Sequence, residues 1–249
     1  MKRKLKKVKK TIYKYRYYII SLIIFLVLFT INFSLYLFKP YEVDKDFSKI
    51  DISNAKNLMI VAHPDDETLW GGAHLIEDDY LVVCITCGPI KERVNEFISV
   101  MEATEDKYIL LGYPDKTNGS RDNWKNCKDD LTKDLDKIIN LKDWNVIVTH
   151  NPEGEYGHLH HKLTNSIVTD LVSTKDKLYY FGRYHSKNTF ANFYDEMSPI
   201  SETTYKKKVH VLGLYRSQKF IQTMFNHMYE YEDWVSYEEW GGNENETDK

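Results

Sequence analysis

Residues 58–67 read LMIVAHPDDE and decide the fold expected for the rest of the chain. The first four residues are apolar, which is typical of a short strand buried on both faces of a parallel sheet. Pro64 and the three acidic residues after it suit the first turn of a helix. His63 also lies three positions before Asp66 at the carboxyl end of that strand, where α/β sheets bind ligands. One imidazole and one carboxylate are two of the three protein ligands of a common catalytic zinc site.

A second strand followed by histidines lies further along the chain. Residues 146–150 read VIVTH, and residues 156–161 read YGHLHH. Because the carboxyl ends of parallel strands meet at one edge of a sheet, these histidines are expected beside His63. The sequence therefore predicts that the missing metal ligand comes from this segment.

These two blocks resemble the zinc-dependent de-N-acetylases, the PIG-L/LmbE-like family that includes N-acetylglucosaminyl-phosphatidylinositol deacetylase and bacterial thiol-sugar deacetylases. The resemblance covers residues 57–185. It implies one Zn²⁺ per chain, held by His63, Asp66 and His161, with a fourth position open to water and substrate. Two imidazoles and a carboxylate also suit other divalent metals.

The resemblance further implies that Asp65 is the general base, although an acidic residue here can also simply cap the helix. His158 would stabilise the oxyanion or protonate the leaving amine, and Tyr156 would lie over the substrate. One position departs from the family pattern, since His160 stands where an acidic residue is common.

That departure raises the question of which carboxylate orients His158. Glu153 and Glu155 are the nearest acidic residues in sequence and are the two candidates. If neither pairs with His158, a different pH optimum is expected.

Three further residues are predicted to bind substrate. Arg93 follows the second predicted strand, where family members place an arginine, but it can equally be a surface cation. Asp115 follows the third strand and can accept hydrogen bonds from sugar hydroxyls, although turn chemistry also favours aspartate after proline. His150 ends its strand at the same edge and either lines the pocket or is structural.

The N-terminal part predicts a membrane anchor. Residues 1–18 carry nine lysines and arginines and no acidic residue, and residues 19–38 carry no charge. Twenty such residues are long enough to span a bilayer as a helix. The positive-inside rule places the basic tail in the cytoplasm and the rest of the chain outside the membrane. A buried core helix is the alternative.

The remaining chain is acidic and contains one domain. Without the nine N-terminal cations it has 25 Lys and Arg against 37 Asp and Glu, which weighs against nucleic acid as a partner. The predicted division is a tail (1–18), a transmembrane anchor (19–38), a stalk (39–56), the deacetylase domain (57–240) and a polar tail (241–249).

Apolar runs that alternate with longer amphipathic stretches predict an α/β fold, a Rossmann-like, mostly parallel sheet with helices on both faces. Strands are predicted at 57–62, 80–86, 108–111, 145–149 and 178–184. Helices are predicted at 70–77, 92–105, 128–141, 158–173 and 216–229. Cys84 and Cys87 have a Cys-x-x-Cys spacing but are expected to be buried, apolar-like residues.

The function that these features predict is removal of an acetyl group from an N-acetylated amino sugar (GlcNAc-type) of a cell-envelope glycan or glycolipid. One alternative is a cytoplasm-facing N-acetylglucosaminyl-phosphatidylinositol deacetylase, and another is a carbohydrate-binding pseudoenzyme. A nucleotide-dependent Rossmann enzyme would need a glycine-rich turn after the first strand, where this chain has His63-Pro64-Asp65-Asp66.

Overall fold

The computed structural model describes residues 2–37, 45–86 and 90–241. The chain divides into two compact units, residues 1–40 and residues 41–249. The start of the predicted stalk, Cys87 and the end of the polar tail lie outside the described residues. The predicted domain limits therefore stay a prediction.

The first unit is helix α1 (Lys2–Leu37). Within it, Tyr13–Phe33 has a mean hydropathy of 1.9 and is long and apolar enough to cross a membrane, as signal sequences near an N-terminus also are. The predicted span, 19–38, overlaps this stretch. Orientation in a membrane stays a prediction.

The second unit alternates strands and helices. In chain order these are β1 (Asn57–Val61), α2 (Asp66–Glu77), β2 (Tyr80–Cys84), α3 (Lys91–Thr104), β3 (Lys107–Leu110), β4 (Lys116–Thr117), β5 (Ser120–Arg121), α4 (Lys128–Ile139), β6 (Ile147–Thr149), α5 (Leu159–Leu171), β7 (Leu178–Tyr180), α6 (Glu202–Leu212), α7 (Lys219–Phe225) and β8 (Val235–Ser236). The five predicted strands are present, and four predicted helices lie near their expected limits. The predicted helix 216–229 is confirmed in position, although only its middle part, α7, is α-helical and the 3₁₀ turns Arg216–Gln218 and Asn226–Met228 flank it.

The main sheet has the strand order β3-β2-β1-β6-β7-β8. Its pairs are parallel except at the β8 edge, which confirms the mostly parallel α/β fold. Strand β1 is fully buried at the centre. Leu58 and Ile60 pack into one core, whereas Met59 and Val61 pack into the other, as the alternation of side chains along a strand requires.

Helices cover both faces of this sheet. Residues of α4 and α5 pack into the Leu58 core, and residues of α2, α3 and α6 pack into the Met59 core. Helix α6 was not predicted because few of its residues are apolar. Its Lys208 is fully buried and forms an ion pair with Glu232 at 2.5 Å, so charge and alkyl stem together anchor the helix.

The order of the strands fixes where the site lies. From β1 the chain moves outward through β2 to β3 on one side, and later returns to place β6 on the other side of β1. The carboxyl ends of β1 and β6 therefore flank a topological switch point, the usual ligand crevice of such sheets. The two histidine-bearing segments quoted above follow these two strands.

Candidate metal centre and active site

The loop after β1 and the first turns of α2 and α5 bring together the three predicted metal ligands. His63 Nδ1 lies 3.2 Å from Asp66 Oδ2, and Asp66 Oδ1 lies 3.3 Å from His161 Nε2. The backbone N–H of His63 also donates to Asp66 Oδ2 at 2.8 Å, which fixes the carboxylate. All three side chains are buried. Within the described residues, three overlapping groups have ligand atoms close enough to hold a metal ion, and each predicted ligand belongs to at least one of them. The groups are His63, His158 and His161; His63, Asp115 and His160; and Asp66, His150 and His161.

His161 has the outer contact of a metal ligand. Its Nδ1–H donates to the Glu155 carboxylate, and its Nε2 lies toward Asp66. Burial lowers the pKa of His161, but the charge of Asp66 outweighs burial and raises that pKa, so a metal ion at Nε2 would displace a proton. That nitrogen is buried and has no hydrogen-bond partner within the described residues. Burial opposes ionisation of Glu155, but His150 and His161 outweigh it and hold the pKa of this carboxyl at about 2. A carboxylate that orients an imidazole in this way is a recurring feature of metal sites.

His63 is oriented by a second histidine instead of a carboxylate. His160 Nε2–H donates to the carbonyl oxygen of Asp122 at 2.6 Å, and its ring stacks on Trp124 with centroids 4.3 Å apart. Burial, followed by the nearby His63, lowers the pKa of His160 to about 4, so the ring is neutral. Its Nδ1 therefore accepts from His63 Nε2–H at 2.9 Å.

His63 Nδ1 and His161 Nε2 lie 3.2 Å and 3.3 Å from the two oxygens of the Asp66 carboxylate. Burial opposes ionisation of Asp66, but the charges of His161 and His150 hold the pKa of this carboxyl well below its usual value. Two imidazole nitrogens and a carboxylate are ligands that a divalent ion can bind in place of protons. The donor set therefore fits a divalent metal ion.

Asp65 lies beside this cluster in a strained conformation. Its φ of 103° is in the region that favours glycine, and such outliers concentrate at functional sites. It precedes helix α2, yet its side chain makes no capping hydrogen bond, so the structure does not support the helix-cap alternative. Burial, and after it the charge of Asp66, raise the pKa of Asp65 to about 8. A bound cation would favour the ionised carboxylate that a general base needs.

Arg93 and Glu67 hold the strained loop from two sides. Arg93 Nη2 donates to the carbonyl oxygen of Pro64 at 2.5 Å and lies 3.5 Å from Asp65 Oδ1, so Arg93 is part of the site and not a surface cation. Glu67 is fully buried, accepts from Tyr215 Oη–H at 2.5 Å, and accepts from the backbone N–H of Asp65 at 3.0 Å. Glu67 thus supports the loop instead of facing the ligands.

Within the described residues His158 contacts neither of the two carboxylates named from the sequence, which favours the alternative of a different pH optimum. Glu153 pairs with Arg183 at 2.8 Å, and Glu155 pairs with His161. His158 Nδ1 is buried and unpartnered within the described residues. Burial, followed by the charges of His161 and His63, keeps the pKa of His158 far below its usual value. Its ring centroid lies 4.3 Å from that of His161, so a neutral imidazole faces the cluster.

His150 is not among the residues that line the cavity beside the cluster, which favours the structural alternative for it. It is fully buried, with Nε2 accepting from the backbone N–H of Ala62 at 2.9 Å and Nδ1 lying 3.0 Å from Glu155. Since both ring nitrogens are engaged, His150 instead supports Glu155 and the end of β1. Sequence position alone could not distinguish a pocket-lining role from a structural one, because a side chain at the end of a strand can face either solvent or the core.

Glu155 reaches His161 because the preceding loop has an unusual backbone. Gly154, Glu155 and Gly157 all have positive φ values. At Gly154 (φ +69°) a Cβ would lie 2.7 Å from the carbonyl oxygen of His158, so a side chain is excluded there. Asn151 N–H donates to Glu155 Oε1 at 2.9 Å and completes the turn. The two glycines are the sequence signal that marks this loop.

The cluster opens into a cavity of about 350 Å³ with two different walls. The charged wall contains Arg93, Asp115, Lys116 and Arg121, and the apolar wall contains Leu69, Tyr156, Ile221 and Met224. The predicted substrate residues Arg93, Asp115 and Tyr156 are thus at the cavity. Helix α7, which supplies two of the apolar residues, was not predicted to lie there.

Comparison with known proteins identifies relatives of the part of the chain that carries this site. The family model of the GlcNAc-PI de-N-acetylases (PIG-L) matches residues 58–172, which contain every ligand candidate named above. An uncharacterised protein of Acanthamoeba polyphaga mimivirus is 35% identical over 152 residues, which are 54% of this chain and 64% of that protein. The match thus spans less than two thirds of that relative.

Three solved structures share the fold. The A40926 pseudoaglycone deacetylase Dbv21 has a TM-score of 0.53 and 16% identity, over 68% of this chain and 85% of that one. The zinc-inhibited form of teicoplanin deacetylase Orf2 has a TM-score of 0.50 and 16% identity, over 66% of this chain and 85% of that one. GalB, the 4-carboxy-2-hydroxymuconate hydratase of Pseudomonas putida, has a TM-score of 0.51 and 14% identity, over 70% of this chain and 84% of that one. At these identities the likeness is one of fold. Because a hydratase shares it, the reaction has to be argued from the site.

Proposed function

Since residues 58–172 form a domain of the GlcNAc-PI de-N-acetylase (PIG-L) family, we propose that this chain is a metal-dependent hydrolase of a cell-envelope glycan or glycolipid. It removes the acetyl group from an N-acetylated amino sugar. The observation that supports this proposal is that His63 and His161 each lie within 3.3 Å of the Asp66 carboxylate, with Asp65 and Asp66 both lining an open cavity. Zinc is the proposed ion because two imidazoles and one carboxylate with an open position suit catalytic zinc.

A bound divalent ion would polarise the acetyl carbonyl and lower the pKa of a water molecule to about 7. The protein has to accept the proton of that water. Asp65 is the one carboxylate of the cavity that neither contacts a histidine nor caps its helix. Asp65 is therefore proposed to accept the proton and later to deliver it to the leaving amine, as a single acid–base group does in both directions.

His158 is proposed to act as a hydrogen-bond donor and not as an acid. A neutral imidazole without a carboxylate partner is a poor store of a proton, but its N–H stabilises a developing negative charge. His158 lies next to His161 on the cavity side, where the carbonyl oxygen of the acetyl group would sit. This assignment leaves proton transfer to Asp65 alone.

The walls of the cavity suit a sugar. Asp115 can accept hydrogen bonds from hydroxyl groups, and its pKa is lowered, first by His63 at 3.5 Å, so it is an acceptor at neutral pH. Tyr156 is 40% exposed and presents an aromatic ring on which a sugar ring can stack. The apolar residues Ile221 and Met224 also line the cavity and suit an apolar aglycone.

Purified, metal-loaded protein is expected to release acetate from N-acetylglucosamine-containing envelope glycans or glycolipids. Each deacetylated product should be about 42 mass units lighter, the difference between acetyl and hydrogen in amide hydrolysis. Asp65→Asn protein is the matched control. Activity confined to N-acetylglucosaminyl-phosphatidylinositol would favour that alternative substrate. Sugar binding without acetate release from any of these substrates would favour the pseudoenzyme and contradict the proposal.

We expect the catalytic domain to lie outside the cytoplasmic membrane, anchored by the apolar helix within residues 13–33. Protease added to intact cells should therefore digest the domain while a cytoplasmic marker protein stays whole. If the domain is digested only after the membrane is opened, the orientation and the envelope substrate are both wrong.

A further inference from the structure

His63 presents one ring nitrogen to the proposed catalytic ion and the other to a second group of donors. On that second side, His63 Nε2, His160 Nδ1 and Asp115 Oδ1 converge. The three separations are 2.9 Å between the nitrogens, 3.5 Å from His63 Nε2 to Asp115 Oδ1, and 3.6 Å from His160 Nδ1 to the same oxygen. An ion held tetrahedrally about 2.0–2.1 Å from each donor keeps its donors about 3.3 Å apart. The donors are thus already placed for a small cation.

We propose that His63, His160 and Asp115 form a second divalent-cation site, next to the catalytic one and sharing His63 with it. The residue that makes this site possible is His160. An imidazole there offers a nitrogen ligand of the kind that Zn²⁺ prefers, in a set of two histidines and one carboxylate.

The surroundings of His160 are those of a prepared ligand. Its Nε2–H donates to the Asp122 carbonyl oxygen, so Nδ1 is the nitrogen with the lone pair. Its ring is fully buried and stacked within 6° of parallel on Trp124. Trp124 itself has a φ of 56°, an uncommon conformation for a bulky residue. These contacts therefore hold the ring in place without a bound ion, as residues around a metal ligand commonly do.

Asp115 supplies the oxygen from the cavity side. Its Oδ1 is buried and has no hydrogen-bond partner within the described residues, although the side chain as a whole is 28% exposed. Arg121 Nη1 lies 3.5 Å from that oxygen and is the nearest opposing charge. The oxygen thus points at the two histidine nitrogens without a proton donor of its own.

The second site has to be weaker than the first. An ion there replaces the proton between His63 Nε2 and His160 Nδ1, and that proton leaves to solvent. With both sites filled, His63 becomes an imidazolate bridge between two cations, and Arg121 adds repulsion. The ion would also occupy the charged wall of the cavity, so excess metal is expected to inhibit turnover. The site itself depends on metal binding and not on the proposed reaction.

Full-length protein in detergent, stripped with a chelator and titrated with Zn²⁺ alone, tests this proposal. Wild-type protein is expected to bind two ions per chain, the second more weakly, by metal analysis after gel filtration and by calorimetry. Asp115→Asn and His160→Asn should each keep the first ion. Each variant should lower the affinity for the second ion. The loss should exceed the roughly 10- to 100-fold that follows removal of a residue that contacts a metal ligand without binding the metal itself. Asparagine at 160 still offers an oxygen to His63 Nε2–H, so the first site is preserved.

Arg121→Gln is the matched variant with the opposite expectation. Removal of a cation 3.5 Å from the ligand oxygen should tighten the second ion severalfold without changing the first. Saturation of wild-type protein at one ion would overturn the proposal. A second ion that persists in both Asp115→Asn and His160→Asn is bound elsewhere, which overturns it too. Loss of the first ion in Asp115→Asn would mean that this set is the primary site, a third contrary result.

Discussion

Asp65→Asn protein is expected to fold, to bind its metal ion and to lose about 10²- to 10⁴-fold in kcat, the usual contribution of a positioned acid–base group. Asparagine has nearly the same shape as aspartate and also tolerates a positive φ, so the strain at 103° does not increase. The carboxylate makes no capping bond that the change would remove. What the variant lacks is the ability to accept a proton at neutral pH.

The measurement is steady-state kinetics on protein whose metal content has been determined first. Glu67→Gln is the matched control, because it makes the same chemical change at a buried carboxyl two residues along. Its amide can still accept from the backbone N–H of Asp65, so the loop is retained and kcat should change little. Near-normal turnover of metal-loaded Asp65→Asn would contradict the base assignment. A large loss in Glu67→Gln would then transfer the role to Glu67.

The parts of this fold that the sequence predicts are those set by local pattern. The run 58–61 is apolar throughout because β1 is buried on both faces, and this signal needs no knowledge of the rest of the chain. The sequence order of β1 and β6, each followed by histidines, predicts their meeting because parallel strands end at one edge. His63, Asp66 and His161 accordingly lie together as expected.

What the sequence did not predict depends on contacts between distant residues. His160 lies 97 positions from His63, and nothing near either residue indicates that one orients the other. Helix α6 has few apolar residues and is anchored by the buried pair of Lys208 with Glu232. The turn that aims Glu155 at His161 depends on three positive φ values, of which only the two glycines are visible in sequence.

The direction in which a strand-end side chain points is also decided by tertiary structure. His150 and His63 both follow buried strands, yet His63 faces the cavity and His150 faces the core. Two contacts hold His150 in the core. The backbone N–H of Ala62 donates to its Nε2, and its Nδ1 lies within hydrogen-bond distance of Glu155. Such a choice cannot be made from the alternation of side chains alone.

Removal of the His161 imidazole is expected to abolish metal binding. Its Nε2 is buried, lies 3.3 Å from Asp66 Oδ1 and has no hydrogen-bond partner within the described residues, and a catalytic zinc site typically has three protein ligands. His161→Ala protein should therefore fall from about one tightly bound ion per chain to almost none, with loss of turnover. Metal analysis after dialysis against a metal-buffered chelator measures the loss directly.

Two neighbouring residues make this test specific. Glu155→Gln keeps every ligand but weakens the orientation of His161, so the affinity for the ion should fall by about 10- to 100-fold while excess metal restores one ion per chain. His158→Ala should keep the ion and lose turnover, because His158 is proposed to contact only the substrate. The ring centroid of His158 lies 4.3 Å from that of His161, so the two alanine variants show which of these neighbouring histidines binds the metal. If His161→Ala keeps its metal while His158→Ala loses it, the metal is held by His63 and His158, and the convergence on Asp66 described above is not the catalytic centre.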